Sequence, residues 1–346
     1  MKAARYERTG GPEVVEIVDV PDPDPGTVDV VVRVDACSLN RLDVVQRNGW
    51  FALDGFALPH IAGMDIAGSV LAVGTDVTDV AVGDRVVVNP SMIGVDHRSA
   101  LGGRRDVHGD LGVLGATLDG GYAERCLVPA SHVFHVPDHV PIEHAATFPT
   151  AYLTASHALF DVGGLTEGET LIVHAAGSGV SVAAIQLAAR AGATVLATAG
   201  SAAKLDRALE LGADHVLNNR EGDVTRWARE ITDGAGVDMV LDHVGAALFA
   251  PSISALARGG RLVSCGNTSG DEAVIPSLGF LFHNRIAILG SDDYRPEEFA
   301  PAWQAFCDGA FHVAIEREYP LEEAATAQEQ MLSSDFFGKI LLRPNG

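Results

Sequence analysis

Short β-branched runs broken by Gly and Pro turns dominate the N-terminal part of the chain. Val14-Val15-Glu16-Ile17-Val18 and Asp29-Val30-Val31-Val32-Arg33-Val34 read as strands on either side of the turn Pro21-Asp22-Pro23-Asp24-Pro25-Gly26. Further apolar runs cover residues 66–73, 84–89 and 122–128, with Gly74 and Gly83-Asp84 as turns. Many short strands joined by glycine turns predict a small barrel-like β domain.

The pattern changes near residue 150. Leu171-Ile172-Val173 predicts a strand, followed by a Gly/Ser turn and an apolar helix over 180–191. Strands at 194–198, 215–217, 237–242, 261–265 and 285–290 then alternate with helices at 204–211, 224–232 and 249–257. Strands alternating with helices predict right-handed βαβ units in a doubly wound parallel sheet. An amphipathic stretch at 297–308, a helix at 321–332 and a terminal strand at 337–342 complete the chain. The expected fold class is α/β, with a β domain from residues 1–150 and 290–346 and a nucleotide-binding domain from 151–289.

Composition narrows the function. A chain of 346 residues, 47% of them apolar, is long enough for two cores. Residues 171–189 carry no formal charge and approach a membrane-spanning length. Gly177, Ser178, Gly179 and Ser181 interrupt that run, so a buried strand, turn and helix explain it better. The start has neither a basic segment nor an apolar leader run, and a cytoplasmic location is expected. Cys37, Cys126, Cys265 and Cys307 form no CxxC pair and are expected as free thiols. The formal charge of −22 argues against nucleic acid and anionic membranes as partners. Lysine is nearly absent, and arginine carries almost all the positive charge.

The sharpest local signal is Leu171-Ile-Val-His-Ala-Ala-Gly177-Ser178-Gly179-Val180-Ser181, which follows a strand and opens a helix. Small residues there let the backbone approach a pyrophosphate, whose charge sits at the helix N-terminus. Ser181 stands where the last glycine of GxGxxG would be. NAD sites place an acid near the end of the next strand to bind the ribose 2′-OH. Here that strand ends Thr198-Ala199-Gly200-Ser201 with Lys204 beyond, so nothing repels a 2′-phosphate and NADPH is the expected cofactor. No Gly-x-Ser-x-Gly elbow and no Walker A sequence is present, which leaves hydrolase and NTPase readings without their motifs.

Taken together, AAGSGVS, ATAGSxxK, LGADHV, the terminal FGKILL, Gly63-Met64-Asp65-Ile66-Ala67-Gly68 and Asp119-Gly120-Gly121-Tyr122-Ala123-Glu124 resemble the medium-chain dehydrogenase/reductase superfamily. The resemblance covers essentially the whole chain. It implies a GroES-like β domain and a Rossmann domain. Zinc alcohol dehydrogenases of that superfamily hold their metal with Cys, His and Cys; Asn40, Met64 and Thr150 align there instead, with Asp65 beside Met64. Ala36-Cys37-Ser38-Leu39-Asn40 resembles zinc-free quinone reductases, in which the asparagine lies near nicotinamide and substrate. At the four-cysteine structural zinc lobe of the dehydrogenases stand Gly94, His97, Ala100 and His108; Asp96 or Asp110 could join the histidines, but a metal-free lobe is expected.

The expected catalytic set is Asn40, Asp43 and Tyr152, with no metal. Asp43, Arg47 and Asn48 follow Asn40 on a short helix, and either that group or Tyr152 could face substrate. Trp50 and Phe51 could line an apolar pocket. The expected cofactor set is Thr154, Gly177, Ser178, Gly179, Val180, Ser181, Thr198, Ser201, Lys204, Cys265, Gly266, Asn267 and Lys339. The remaining histidines, His243 among them, are expected to serve packing or the surface. The implied activity is NADPH-dependent reduction of a small quinone or enone by a homodimer. A zinc-dependent alcohol dehydrogenase with displaced ligands and a non-catalytic NADPH-binding protein stay open.

Overall fold

The valine run at 29–34 extends into the strand Asp29–Ser38, buried along almost its whole length. Its pairing explains the burial: it bonds antiparallel to Asp65–Val73, Arg125–Pro129 and the C-terminal strand Lys339–Arg343. In this computed structural model, which describes residues 1–101, 112–292, 294–309 and 311–346, the chain divides into two units. Met1–Thr150 and Phe299–Gly346 form one, and Ala151–Glu298 the other.

In the first unit the sheet order is Ile315–Pro320, Lys339–Arg343, Asp29–Ser38, Asp65–Val73, Arg85–Val88, Val133–His135, with Arg125–Pro129 also on Asp29–Ser38. Glu16–Asp19, Lys2–Tyr6 and His60–Ile61 form a second, three-stranded sheet. Three local expectations shift. Pro12 presets its own φ, so Pro12–Val14 closes a 3₁₀ turn and the strand begins only at Glu16. The peptide groups of Tyr122 bond to Ala4 and Ala62, so the pairing strand starts at Arg125. Ile315–Pro320 is a strand the charged sequence Glu316-Arg317-Glu318 conceals; it pairs in parallel with the terminal strand.

In the second unit six parallel strands run in the order His215–Asn218, Thr194–Ala199, Thr170–Val173, Val237–Asp242, Leu256–Ser264, Ala287–Gly290. This is the doubly wound order, with its reversal between Thr170–Val173 and Val237–Asp242. The uncharged run divides into that first strand and the helix Gly179–Arg190. Among the described residues no helix is long and apolar enough to cross a membrane. The return to the first unit falls at Glu298/Phe299, later than the expected 290. Arg295 bridges Asp161 at 2.6 Å, and Glu298 bonds His157 at 3.0 Å, which ties that segment to the second unit. Phe299 instead stacks on Phe134 and meets Phe148 edge-on.

The strand end Thr170–Val173 is anchored through His174, which is fully buried. Its Nδ1 lies 2.9 Å from Thr198 Oγ1 and its Nε2 2.8 Å from Ser252 Oγ. Ser252 already donates its hydroxyl hydrogen to Leu248 O, so Nε2 must be the protonated nitrogen, and Nδ1 accepts from Thr198. Burial pushes the imidazolium pKa down to about 3.

A neutral buried imidazole makes stability depend on pH. Below the ordinary histidine pKa of about 6.5 the unfolded chain takes up a proton that the folded chain refuses. The His174 contribution is therefore complete above that value and lost as pH falls toward the folded one. By pH 5 it should amount to about 2 kcal/mol. Urea unfolding of wild type and His174→Gln between pH 7 and 5 measures it; the variant should lose less stability over that range. Equal losses in both proteins would contradict a neutral buried His174.

Candidate active site

The carboxylate of Asp65 begins its strand and is fully buried. A buried carboxylate is costly unless donors surround it. Five do. Ser38 Oγ (2.9 Å), Asn40 Nδ2 (2.9 Å) and Lys339 Nζ (3.0 Å) donate to Oδ2. The Thr150 backbone N–H (2.9 Å) and Oγ1 (2.6 Å) donate to Oδ1. Lys339 Nζ also donates to Asn40 Oδ1 at 2.8 Å. Lys339 reaches this place because Gly338 takes a φ of 90°, where a Cβ would collide with Ala314 O; only glycine enters the strand there without strain.

Asn40 also caps the helix Arg41–Asn48. Its backbone N–H donates to Asp43 Oδ2 (2.8 Å), half of a capping box, while its side chain turns to Asp65 and Lys339. Tyr122 Oη donates to the same Asp43 oxygen at 2.9 Å. Burial pushes the Asp43 carboxyl up to about 6. Asp43 thus holds the helix end that presents Asn40. Arg47 points inward, fully buried, and donates to Gln328 Oε1 (2.6 Å) and Asn48 Oδ1 (3.2 Å). Trp50 and Phe51 are exposed.

In the second unit the turn after His174 passes through Ala175 at φ 49° and enters the helix Gly179–Arg190 with Ser178 as N-cap. Ser178 Oγ accepts from Ser181 N at 3.2 Å. Ser181 Oγ donates to His174 O (2.6 Å) and lies 2.7 Å from His243 Nε2, which is also 3.2 Å from Ser178 Oγ. Ser181, in place of glycine, therefore fastens the turn to the two strand ends at the sheet reversal. The N–H groups of Gly179 and Val180, first in the helix, have no intrahelical acceptor and suit a pyrophosphate. Burial pushes His243 down to about 4, so it stays neutral beside that turn.

The next strand end separates the expected residues. Thr198 is buried, its hydroxyl committed to His174. Ser201 is exposed at the N-cap of the helix Ala202–Glu210, and Lys204 lies in its first turn. Gly200 leaves room for Arg220: a Cβ there would lie 2.6 Å from Arg220 Nε. Arg220, an exposed guanidinium beside this strand end, is a residue the sequence reading missed. Gly266 packs against His243, whose Cβ would be 3.1 Å from a Cβ at 266. Cys265 is partly exposed and its thiol is pushed up to about 12 by burial of its sulfur; Asn267 is exposed and donates to Asp271. Thr154 and Tyr152 lie on the helix Pro149–Ser156. Tyr152 is buried against Gln186, and burial holds its phenol above the ordinary range.

The residues at the expected zinc positions do not fit that metal. The Asn40 amide is occupied by Asp65 and Lys339, Thr150 donates its hydroxyl to Asp65, and Met64 offers a buried thioether. Zinc takes thiolate, imidazole or carboxylate ligands, and the carboxylate present already carries an ammonium. Of the candidate structural lobe, His97 is exposed and pairs with Asp96 at 3.4 Å, while His108 and Asp110 lie outside the described residues. Among the described residues His157, Asp161 and Glu298 come close enough to share a cation, but Arg295 already bonds both carboxylates.

Comparisons with known proteins agree with this architecture. Residues 26–138 match the alcohol dehydrogenase GroES-like domain and residues 179–308 the zinc-binding dehydrogenase domain. A quinone oxidoreductase of Pseudomonas aeruginosa is 31% identical, covering 99% of this chain and 99% of its own. A solved NAD-dependent alcohol dehydrogenase is 38% identical with a TM-score of 0.91, covering 99% of both chains. A mycobacterial protein solved in complex with NADPH is 31% identical with a TM-score of 0.81, covering 99% of this chain and 100% of that one. With a mostly antiparallel GroES-like sheet, a parallel sheet in the doubly wound order and relatives aligned end to end, the chain belongs to the medium-chain dehydrogenase/reductase superfamily as a quinone oxidoreductase-like oxidoreductase.

Proposed function

We propose that this oxidoreductase uses NADPH to reduce quinones or α,β-unsaturated carbonyl compounds, without zinc. The observation that carries the reading is the Asp65 cluster. Where zinc relatives place metal ligands, this chain has an amide, a thioether and a hydroxyl, and the cation on the carboxylate is the Lys339 ammonium. NADPH, when bound, supplies the hydride. Gly179 and Val180 would offer N–H groups to its pyrophosphate, on a turn shaped by Gly177, Ser178 and Ser181. Ser201, Lys204 and Arg220 would take the 2′-phosphate, with Thr154, Cys265, Gly266 and Asn267 along the remaining cofactor surface. The mycobacterial relative solved with NADPH supports this choice. Asp43 holds Asn40 in place, and buried Tyr152 packs on Gln186. Without a Lewis acid a simple ketone lacks polarisation, whereas a conjugated acceptor delocalises the charge that arrives.

The 38% identity to an NAD-dependent alcohol dehydrogenase favours a second reading, NAD-linked alcohol oxidation. Simple alcohols and ketones should be poor substrates, quinones or enones good ones, and chelators without effect. Asn40→Ala should lower kcat more than it raises KM. Rapid NAD-linked alcohol oxidation abolished by a chelator and restored by zinc would establish the second reading. NADPH binding without turnover across the panel would indicate a non-catalytic protein.

Cofactor choice is tested separately. Lys204→Ala and Arg220→Ala should each weaken NADPH binding by about 1.5–3 kcal/mol and leave NADH binding unchanged. Equal affinity of the wild type for the two cofactors would refute the assignment.

A cytoplasmic homodimer completes the proposal. Ala287–Gly290 is the last strand of its sheet, and Val274, Leu278, Phe282 and Ile288 expose apolar surface near it in sequence. An open apolar edge is a liability that an isologous pairing removes. Light scattering at micromolar concentration should give twice the chain mass at low and high salt; a monomer mass would contradict the pairing.

A further inference from the structure

We propose that Lys339 is the electrophile of this site: its Nζ–H binds the acceptor oxygen and stabilises the negative charge that develops on it. The inference rests on the proposed reduction of quinones or enones and assigns its oxyanion donor.

The chain contains three lysines, Lys2, Lys204 and Lys339. Only the last is buried, and it lies on the buried Asp65 carboxylate. An ammonium has three N–H donors. Two are committed, to Asp65 Oδ2 and Asn40 Oδ1. Among the described residues the third has no acceptor, although the rest of the cluster is saturated: Asp65 receives five hydrogen bonds. The lysine keeps 8% of its side chain exposed and the aspartate none, so approach to the pair comes from the lysine side. Asp43 and Cys37 are the other titratable groups that feel this ammonium; the Cys37 thiol is pushed up by burial and stays neutral.

The chemistry balances. Hydride from the reduced nicotinamide brings two electrons to the electrophilic carbon. The carbonyl π bond shifts to oxygen, directly or through the conjugated double bond, and leaves one negative charge there. The Lys339 N–H donates to that oxygen while Asp65 and Asn40 hold the ammonium still. A proton from water then completes the reduction. Asp65 and Asn40 are positioning residues in this scheme, and Lys339 is the catalytic one.

The test uses the full-length protein with NADP⁺ and 4-nitrophenol, whose phenolate mimics the developing oxyanion and absorbs separately from the phenol. Wild type should bind the phenolate at least about tenfold more tightly than the phenol, lowering the bound ligand's pKa by about one unit. Lys339→Met should abolish that preference, and Lys339→Arg should retain part of it. In turnover, Lys339→Met should lower kcat by roughly 100–1000-fold with a much smaller change in KM. Because Lys339→Met leaves Asp65 buried and unpaired, Lys339→Met/Asp65→Asn serves as the charge-neutral companion, required to melt as a cooperative fold. Absence of phenolate preference in wild type, or its persistence in the double variant, overturns the proposal. A Lys339-dependent phenolate preference in a protein that reduces no quinone or enone would leave the electrophile standing and reject the substrate reading.

Discussion

One buried carboxylate organises the first unit. Asp65 is fully inaccessible, and an unpaired charge in such a place would cost several kcal/mol. Its five donors come from Ser38, Asn40, Thr150 and Lys339, so the end of one strand, the cap of a helix, the last residue before the second unit and the C-terminal strand must all converge. The terminal strand thereby closes the charge cluster as well as the sheet. Gly338 exists at that point because the backbone must turn through a left-handed conformation to deliver Lys339.

The second unit depends on a comparable device built from neutral groups. His174 and His243 sit at the ends of the two strands where the sheet reverses, and burial keeps both uncharged. Their hydrogen bonds to Thr198, Ser252, Ser178 and Ser181 hold the turn from several directions. The side chains of the turn are thus engaged inward, and its first helical N–H groups remain for an anionic ligand. A serine in place of the usual glycine becomes intelligible: it supplies a hydroxyl that a glycine could not.

On the proposed reading, the two devices would serve different tasks. A rigid N-terminal helix turn suits phosphate recognition, because backbone donors add no net charge and lose no side-chain entropy on binding. A lysine clamped by a carboxylate and an amide suits charge that appears only during reaction, because its donors need no reorganisation. On the proposed reading, an ammonium in place of a metal would match acceptors that already delocalise charge.

The sequence by itself determined the alternation of strands and helices, the division into two units, the superfamily and the Gly/Ser turn that opens the helix Gly179–Arg190. Those features follow from local pattern: β-branched runs, glycine turns and a helix start have the same meaning wherever they occur. It also singled out Asn40 as a catalytic and Lys339 as a cofactor candidate, without a sign that both meet Asp65. The strand Ile315–Pro320 stayed hidden because its charges mask its pairing with Lys339–Arg343. Neither His243 nor Arg220 carries a local sequence signal that ties it to these strand ends. Only the tertiary structure decided that Lys339 meets Asn40 across 299 residues of chain and Asp65 across 274. Contacts of that separation are set by sheet order and burial. No spacing in the sequence encodes them, and a carboxylate declares itself as buried and charged only once the strands around it have closed.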